Sequence, residues 1–391
     1  MTQAAVAFRD VSIVFGPRPA GALALLDAGG TRDAILADTG HVIGVASATL
    51  AVQPGTICVL MGLSGSGKST LLRAVNGLNR VSRGEVWVRH GGAPVDVARC
   101  PPGTLRALRS GSVAMVFQQF ALLPWRTVRE NVGLGLELRG TPKAELRRVV
   151  DEKLAMVGLS AWADKQAHEL SGGMQQRVGL ARAFSTDADI LLMDEPFSAL
   201  DPLIRTKLQD ELLALQATLR KTILFVSHDL DEAIKLGNQV VIMEGGHIIQ
   251  AGSPQDIVLR PATPYVADFV RHMNPLGALR AADVMRPLAA VARDGDALLP
   301  DGDALRVALD PQGRPAGCTR GGVAVPLSSL DETVAPETTA PGVVLIPAGL
   351  ALRELVRARH SHRCPIVVVD PDGRAVGVVG ENEILRGLSR A

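Results

Sequence analysis

The segment Gly62 to Thr70, GLSGSGKST, constrains the fold of this chain more than any other. It follows the apolar run Thr56 to Met61 and precedes the helical pattern LLRAVNGL, so G-x-x-x-x-G-K-[ST] stands between a strand and a helix. The glycines Gly62, Gly65 and Gly67, with Ser64, Ser66 and Thr70 between and after them, let the backbone curl until successive N–H groups face one anion. Lys68 adds a point charge between the β- and γ-phosphates, and the Ser69 hydroxyl suits Mg²⁺. Lys68 is the only lysine in the first 142 residues, which separates it from a solvated surface lysine. A nucleoside triphosphate site follows.

Around this loop, β-branched and apolar runs alternate with amphipathic stretches from residue 5 to 250, the pattern of an α/β domain with a mostly parallel sheet. Runs ending at Leu60, Met193 and Phe225 or Val226 are the expected strands. ILLMDEP, Ile190 to Pro196, places Asp194 and Glu195 at the end of a wholly apolar strand, where a buried parallel strand delivers them to the phosphate rim. Asp194 is expected to hold Mg²⁺ through water and Glu195 to polarise the attacking water, its pKa open to a shift by the adjacent carboxylate. Helices are expected over Asp201 to Arg220 and over Lys143 to Val157, the latter after a Thr-Pro start. Between Gly16 and Gly44 lies a segment that looks inserted, with helical patterns at Ala22 to Asp27 and from Thr31, an N-cap type.

Composition bounds the rest. With 391 residues and 47% apolar content, two or more domains are expected. The 41 basic and 40 acidic residues nearly cancel, which argues against a protein that coats nucleic acid or anionic membrane. No apolar stretch approaches the roughly 18 to 20 residues of a membrane-spanning helix. The start MTQAAVAFRD lacks a basic and then apolar leader, and Cys58, Cys100, Cys318 and Cys364 lack paired metal-ligand spacing, so a cytosolic chain with reduced thiols is expected. Every lysine lies at or before Lys235, and Gly, Pro and Asp become frequent from Asp283. A boundary at Asn274 to Pro275 is therefore expected, giving domains 1–275 and 276–391. In the second, DPQGRPAG at 310–317 and DPDGRAVG at 370–377 match at five of eight positions, the mark of an internal duplication. The second copy reads as a strand Ile366 to Val369, a Pro-Asp-Gly turn, a strand Ala375 to Val379 and a helix Glu381 to Leu388.

LSGGM, Leu170 to Met174, opens the helical run QQRVGLARAF and makes a second glycine-rich N-terminus. With it the chain resembles the ATP-binding cassette ATPases, whose signature is LSGGQ and whose other motifs stand here in order: MVFQQF with Gln118, SALD with Asp201, and FVSHD with His228. The resemblance covers residues 1 to about 272, and Met174 takes the place of the usual glutamine. It implies an ATP-binding cassette fold with a P-loop core and a helical subdomain over about 120–185, binding ATP and Mg²⁺. It further implies that Gln118, directly after Phe117 and so preferred to Gln119, senses Mg²⁺ and the nucleophilic water. Ser69, Gln118 and Asp194 form the implied metal set. His228 would contact the γ-phosphate, Phe15 would stack on adenine, and Ser171, Gly172, Gly173 and Asp201 would contact nucleotide. In this family the complete site forms between two cassettes, so one copy of each motif implies a homodimer and separate membrane permease subunits. Trp125 and Arg126, in ALLPWRTVRENV, either meet such a subunit or, for Trp125, pack internally.

The 17–41 insertion and the run SHDLDEAIKLGNQVVIMEGGHIIQAGSP resemble the ATPases of quaternary-amine importers, and YVADFVRHMNP looks most like their choline branch. This implies choline or glycine betaine uptake with a substrate-binding protein, at the cytoplasmic face of a bacterial inner membrane. The duplicated tail resembles a tandem pair of cystathionine-β-synthase-type (CBS) modules, a smaller α+β domain for regulation or for dimerisation. Its first copy lacks a clear helix. Only 102 residues separate Lys68 from Leu170, too few for the coiled coil of a chromosome-organising ATPase. A translation factor would carry two cassettes, and a non-hydrolysing module would lose Glu195 or His228.

Overall fold

The apolar runs of the first domain meet in one sheet. The chain is seen in a computed structural model that describes residues 4–119, 121–198, 200–271, 275–303, 305–330, 342–361 and 365–389. Six strands lie in the order His247–Gly252, Gln239–Glu244, Ile57–Met61, Thr222–Val226, Ile190–Asp194, Val113–Val116, parallel except for His247–Gly252. Ile57–Met61, Ile190–Asp194 and Thr222–Val226 are buried along their whole length, as their unbroken apolar sequences require. Register then sets function: Val116 pairs with Met193, and Met193 with Phe225, so the residues just beyond them share one rim.

An antiparallel sheet of Val42–Val52, Val6–Phe15, Arg83–His90 and Ala93–Asp96 lies in the same unit. The insertion between its first two strands forms the helices Ala20–Asp27 and Arg32–Thr39, the second capped by Thr31 as its sequence foretells. Three helices, Val128–Leu138, Lys143–Met156 and Gly172–Ser185, bury Val132, Leu154 and Val178 in a core of their own. The helix expected from Asp201 is Pro202–Leu219, with Asp201 as its cap.

The chain divides into two compact units, Met1–Pro254 and Gln255–Ala391. This division falls upstream of the compositional change at Asn274 to Pro275, of which Asn274 lies outside the described residues. Val266 and Val270 are buried in the intervening stretch, and Gln255 donates to the Ala278 carbonyl at 3.3 Å, packing that composition cannot reveal.

The second unit holds two five-stranded sheets. One is an antiparallel meander of Ala292–Asp294, Ala297–Asp303, Leu305–Leu309, Pro315–Arg320 and Val323–Val325. The other orders Arg286–Pro287, Ala375–Val379, Ile366–Val369, Val343–Pro347 and Leu327–Ser329, accompanied by the helices Leu352–Ser361 and Glu381–Ser389. Leu298 and Val307 of the first share a core with Val343, Val367 and Val378 of the second. The repeated octapeptides form the same turn. Asp310 Oδ1 accepts from the amides of Gln312 and Arg314 at 2.9 and 2.8 Å, and Asp370 Oδ1 from those of Asp372 and Arg374 at 2.9 and 2.8 Å. Gly313 and Gly373 take φ of 81° and 80°, and the Ala375 amide donates to the Gly313 carbonyl at 2.9 Å. Past the turn the two copies diverge: the second runs into the helix Glu381–Ser389, while the first continues into the strand Val323–Val325.

Candidate active site

The phosphate-loop segment leaves the buried strand Ile57–Met61 through Gly62, whose φ is 140° and where a Cβ would come within 2.1 Å of the Met243 carbonyl oxygen. Gly67, φ 99°, begins the helix Lys68–Ala74 and would press a Cβ to 2.3 Å from the Gly44 oxygen. Both positions admit glycine alone. Between them the Lys68 ammonium donates to the carbonyls of Gly62 at 2.8 Å and Leu63 at 2.9 Å, which centres the charge inside the loop. Burial pulls the Lys68 pKa below the ordinary lysine range, against the opposing pull of Glu195 and then Asp194.

Ser69 Oγ donates to Asp194 Oδ1 at 2.6 Å, joining two of the three residues of the expected Mg²⁺ set, while the third, Gln118, bonds Glu195. Asp194 is 2% exposed, and its second oxygen accepts from Arg73 Nε at 3.0 Å and pairs with Arg73 Nη2 at 2.8 Å. Sequence reasoning missed Arg73; its one signal is the four-residue spacing from Ser69 on the same helix face. The hydroxyl and carboxylate oxygens of Ser69 and Asp194 are the hard donors that Mg²⁺ prefers.

Glu195, the next residue, carries φ 46°, a left-handed backbone that costs a non-glycine residue about 1 kcal/mol or more. Its amide donates to the Val226 carbonyl at 3.1 Å, which fixes the turn off the strand. Gln118 Nε2 donates to Glu195 Oε2 at 3.0 Å, and His228 Nδ1 lies 3.4 Å from the same oxygen. Two residues far apart in sequence, Gln118 and His228, thus meet on the carboxylate of a third, because Val116, Met193 and Phe225 stand in register behind them. Beneath His228, buried Glu232 accepts from Ser227 Oγ and from Gln209 Nε2 at 2.9 Å. Desolvation raises the Glu232 pKa, with Ser227 and Gln209 opposing it.

Phe15 is 43% exposed, and a Cβ on Gly44 would fall 2.7 Å from its ring and 3.0 Å from Thr70 Cγ2, so the ring stands beside the start of the loop's helix. Ser64 and Gly65 are exposed at the loop crown, and Ser66 is buried beneath it. Ser171 caps the helix Gly172–Ser185 by accepting from the Met174 amide at 3.4 Å. Met174 packs against the core of the three-helix group, an apolar position that accounts for its departure from glutamine. Among the described residues no hydrogen bond ties Ser171, Gly172 or Gly173 to the phosphate loop. Asp201 Oδ1 accepts from the Ile204 amide at 3.0 Å, and Ile204 Cγ2 would lie 3.2 Å from a Cβ on Gly173. Phe120 and Ala199, within the quoted motifs, lie outside the described residues. Trp125 is 71% exposed and so does not pack internally, while Arg126 pairs with Glu137 at 2.6 Å.

The family model described as ABC transporter matches residues 45–198. The chain is 40% identical over 389 residues to the glycine betaine/proline betaine transport system ATP-binding protein ProV of Salmonella typhimurium, covering 96% of each. It is 39% identical to the glycine betaine transport ATP-binding protein OpuAA of Bacillus subtilis, covering 97% of this chain and 91% of that one. It is 43% identical to the trimethylamine N-oxide transport system ATP-binding protein TmoW of Ruegeria pomeroyi, over 74% of this chain and 83% of that one. Among solved structures it is similar, with a TM-score of 0.54 and 27% identity, to a dimeric ATP-binding cassette in a post-hydrolysis state bound to ADP and Pi, covering 63% of this chain and 98% of that one.

Proposed function

The chain belongs to the ABC transporter family of ATP-binding proteins, and from that premise we propose that it hydrolyses ATP to energise uptake of a quaternary amine of the glycine betaine class through separate membrane subunits. The observation that carries the hydrolytic part is the meeting of Gln118 and His228 on Glu195, one residue from the Asp194–Ser69 pair. In this reading the loop amides and Lys68 hold the β- and γ-phosphates, and Phe15 stacks on the adenine. Glu195 accepts the proton of the attacking water at its carboxylate, held in place by Gln118, while His228 reaches the γ-phosphate. Ser69, Asp194 and Gln118 would hold Mg²⁺, which when bound neutralises charge on the phosphates.

Two copies complete two sites, each phosphate loop facing the partner's Ser171, Gly172 and Gly173, with Asp201 beside the junction. Exposure of the Ser171 helix start supports this, as does the dimeric relative. Two permease subunits dock in part on exposed Trp125, and a substrate-binding protein delivers the amine. No helix among the described residues is long and apolar enough to cross a membrane, and the proposed place is the cytoplasmic face of the membrane, held by those permeases. Glycine betaine replaces choline as the first substrate to test, because the end-to-end matches are to glycine betaine systems. His272, Met273 and Asn274, part of the stretch that looked like the choline branch, lie outside the described residues. The second unit is proposed to regulate transport or to dimerise.

The test is uptake of labelled glycine betaine and choline by cells lacking the gene. Uptake of glycine betaine should be lost, restored by the parent and not by Glu195→Gln. Normal uptake of both amines would overturn the substrate class and leave the ATPase reading standing.

A further inference from the structure

The insertion at 17–41 reaches the nucleotide loop. Its two helices bury Ala22 and Ile35 against Val14, Ile43 and Ala46 of the strands on either side. Both carboxylate oxygens of Asp27 accept from Arg83 Nη1 at 2.8 Å, and the His41 ring closes the base of the insertion, bonding the carbonyls of Pro17 and, at 2.8 Å, Thr39. A segment held at both ends and packed in its middle is a rigid mount. From it Arg32, first residue of the capped helix Arg32–Thr39, extends Nη1 to the Gly65 carbonyl at 2.9 Å.

Gly65 sits at the exposed crown of the loop with φ 78°, and no atom lies within 4 Å of where its Cβ would stand. On the other flank the Ser66 carbonyl accepts from the Gly246 amide at 3.1 Å, and the Gly246 carbonyl accepts from Ala46 at 2.9 Å. Arg32 therefore braces the peptide joining Gly65 to Ser66, whose amide donates to the Leu63 carbonyl at 3.1 Å, and the 245–246 turn braces the next peptide, joining Ser66 to Gly67. Arg32, Gly245 and His247 are among the residues that line a cavity of about 470 Å³.

We propose that Arg32 is a positioning residue for ATP: from the rigid insertion it holds the Gly65–Ser66 peptide so that the loop amides converge on the phosphates. The assignment rests on reading Gly62 to Thr70 as the phosphate-binding loop. A cationic donor on the Gly65 carbonyl fixes and polarises that peptide before nucleotide arrives. The loop grips the phosphates in the ground state and in the transition state alike, so Arg32 acts on affinity and leaves the chemical step alone.

Calorimetry with a non-hydrolysable ATP analogue, together with steady-state hydrolysis, tests this on the full chain carrying Arg32→Ala, Arg32→Gln, Arg32→Lys or Lys68→Ala. Arg32→Ala should weaken binding and raise KM about 3- to 10-fold, the range of one typical net hydrogen bond at an exposed site, with kcat unchanged. Arg32→Lys should restore most of the affinity. Arg32→Gln, similar in bulk and neutral, should weaken binding as alanine does and carries the test if the alanine chain folds poorly. Parental affinity in both neutral variants would overturn the proposal, as would equal loss of kcat in all three. If Lys68→Ala binds like the parent, the phosphate-loop reading itself falls and Arg32 falls with it.

Discussion

The first unit and the second both place glycines of positive φ at their turns, yet the two sets answer to different demands. In the first, Gly62 and Gly67 are forced by close approach, with backbone oxygens at 2.1 and 2.3 Å from where a Cβ would be. In the second, Gly313 and Gly373 have open space or a distant arginine beside them, and φ alone requires glycine. The aspartates differ in the same way. Asp194, at the end of its strand, meets a hydroxyl and a guanidinium from the helix Lys68–Ala74, whereas Asp310 and Asp370 spend an oxygen on amides two and four residues ahead. A glycine- and acid-rich motif in one unit builds a reactive rim. In the other it closes a hairpin.

The contrast breaks most visibly if chemistry depends on the second unit. Glu195→Gln should lower kcat about 10²- to 10⁴-fold, the usual contribution of a general base, while ATP binding persists. Asp370→Ala should leave basal hydrolysis at the parental rate. Single-turnover hydrolysis and nucleotide binding on both variants would show it, and the opposite ranking would reverse the assignment of the two units.

Glycine substitutions sharpen the same contrast. Gly67→Ala, forced against the Gly44 carbonyl, should abolish nucleotide binding. Gly313→Ala and Gly373→Ala should each cost about 1 kcal/mol of stability, the toll of a left-handed backbone on a residue with a Cβ, and should leave hydrolysis alone. Denaturant melts of the full chain should find the two tail losses alike, since the turns share their hydrogen bonds. A large loss at one and none at the other would show that the repeats differ in more than their surroundings.

The smallest effect concerns buried Glu232. Its raised pKa means that the fold favours the protonated carboxyl, so the stability it contributes is full below the ordinary glutamate range and is lost as pH rises through the raised value. Glu232→Gln keeps partners for Ser227 and Gln209 and removes the charge. Thermal melts from about pH 5 to about pH 8 should therefore show a flatter profile for the variant than for the parent. Identical slopes would place Glu232 outside the linkage.

Much of the first unit was legible because phosphate chemistry dictates residue types at fixed spacing, and because buried parallel strands read as unbroken apolar runs. Lys68, Ser69, Asp194 and Glu195 announce themselves this way. Arg73 and Arg32 did not, since each looks like an ordinary surface arginine until a helix turn or an insertion aims it. Glu232 resembled a first-turn acid of the helix Leu230–Leu236, and its burial comes from a neighbouring helix that sequence spacing does not relate to it. The second unit was legible at its turns and at the Ile366–Val369 and Ala375–Val379 strands. Its first repeat was not, because the octapeptide specifies a turn and is silent on whether a helix or another strand comes next.

Mixing two inactive full-length chains tests most directly whether each site is divided between two copies. Lys68→Ala removes the phosphate-loop charge, and Ser171→Arg blocks the signature helix start. Each alone should be inactive. At equal amounts random pairing makes half of the dimers mixed, and each mixed dimer holds one intact site of two, so activity should recover to about a quarter of the parental value. No recovery at any ratio, under conditions where the parent is active, would contradict a site shared between two copies.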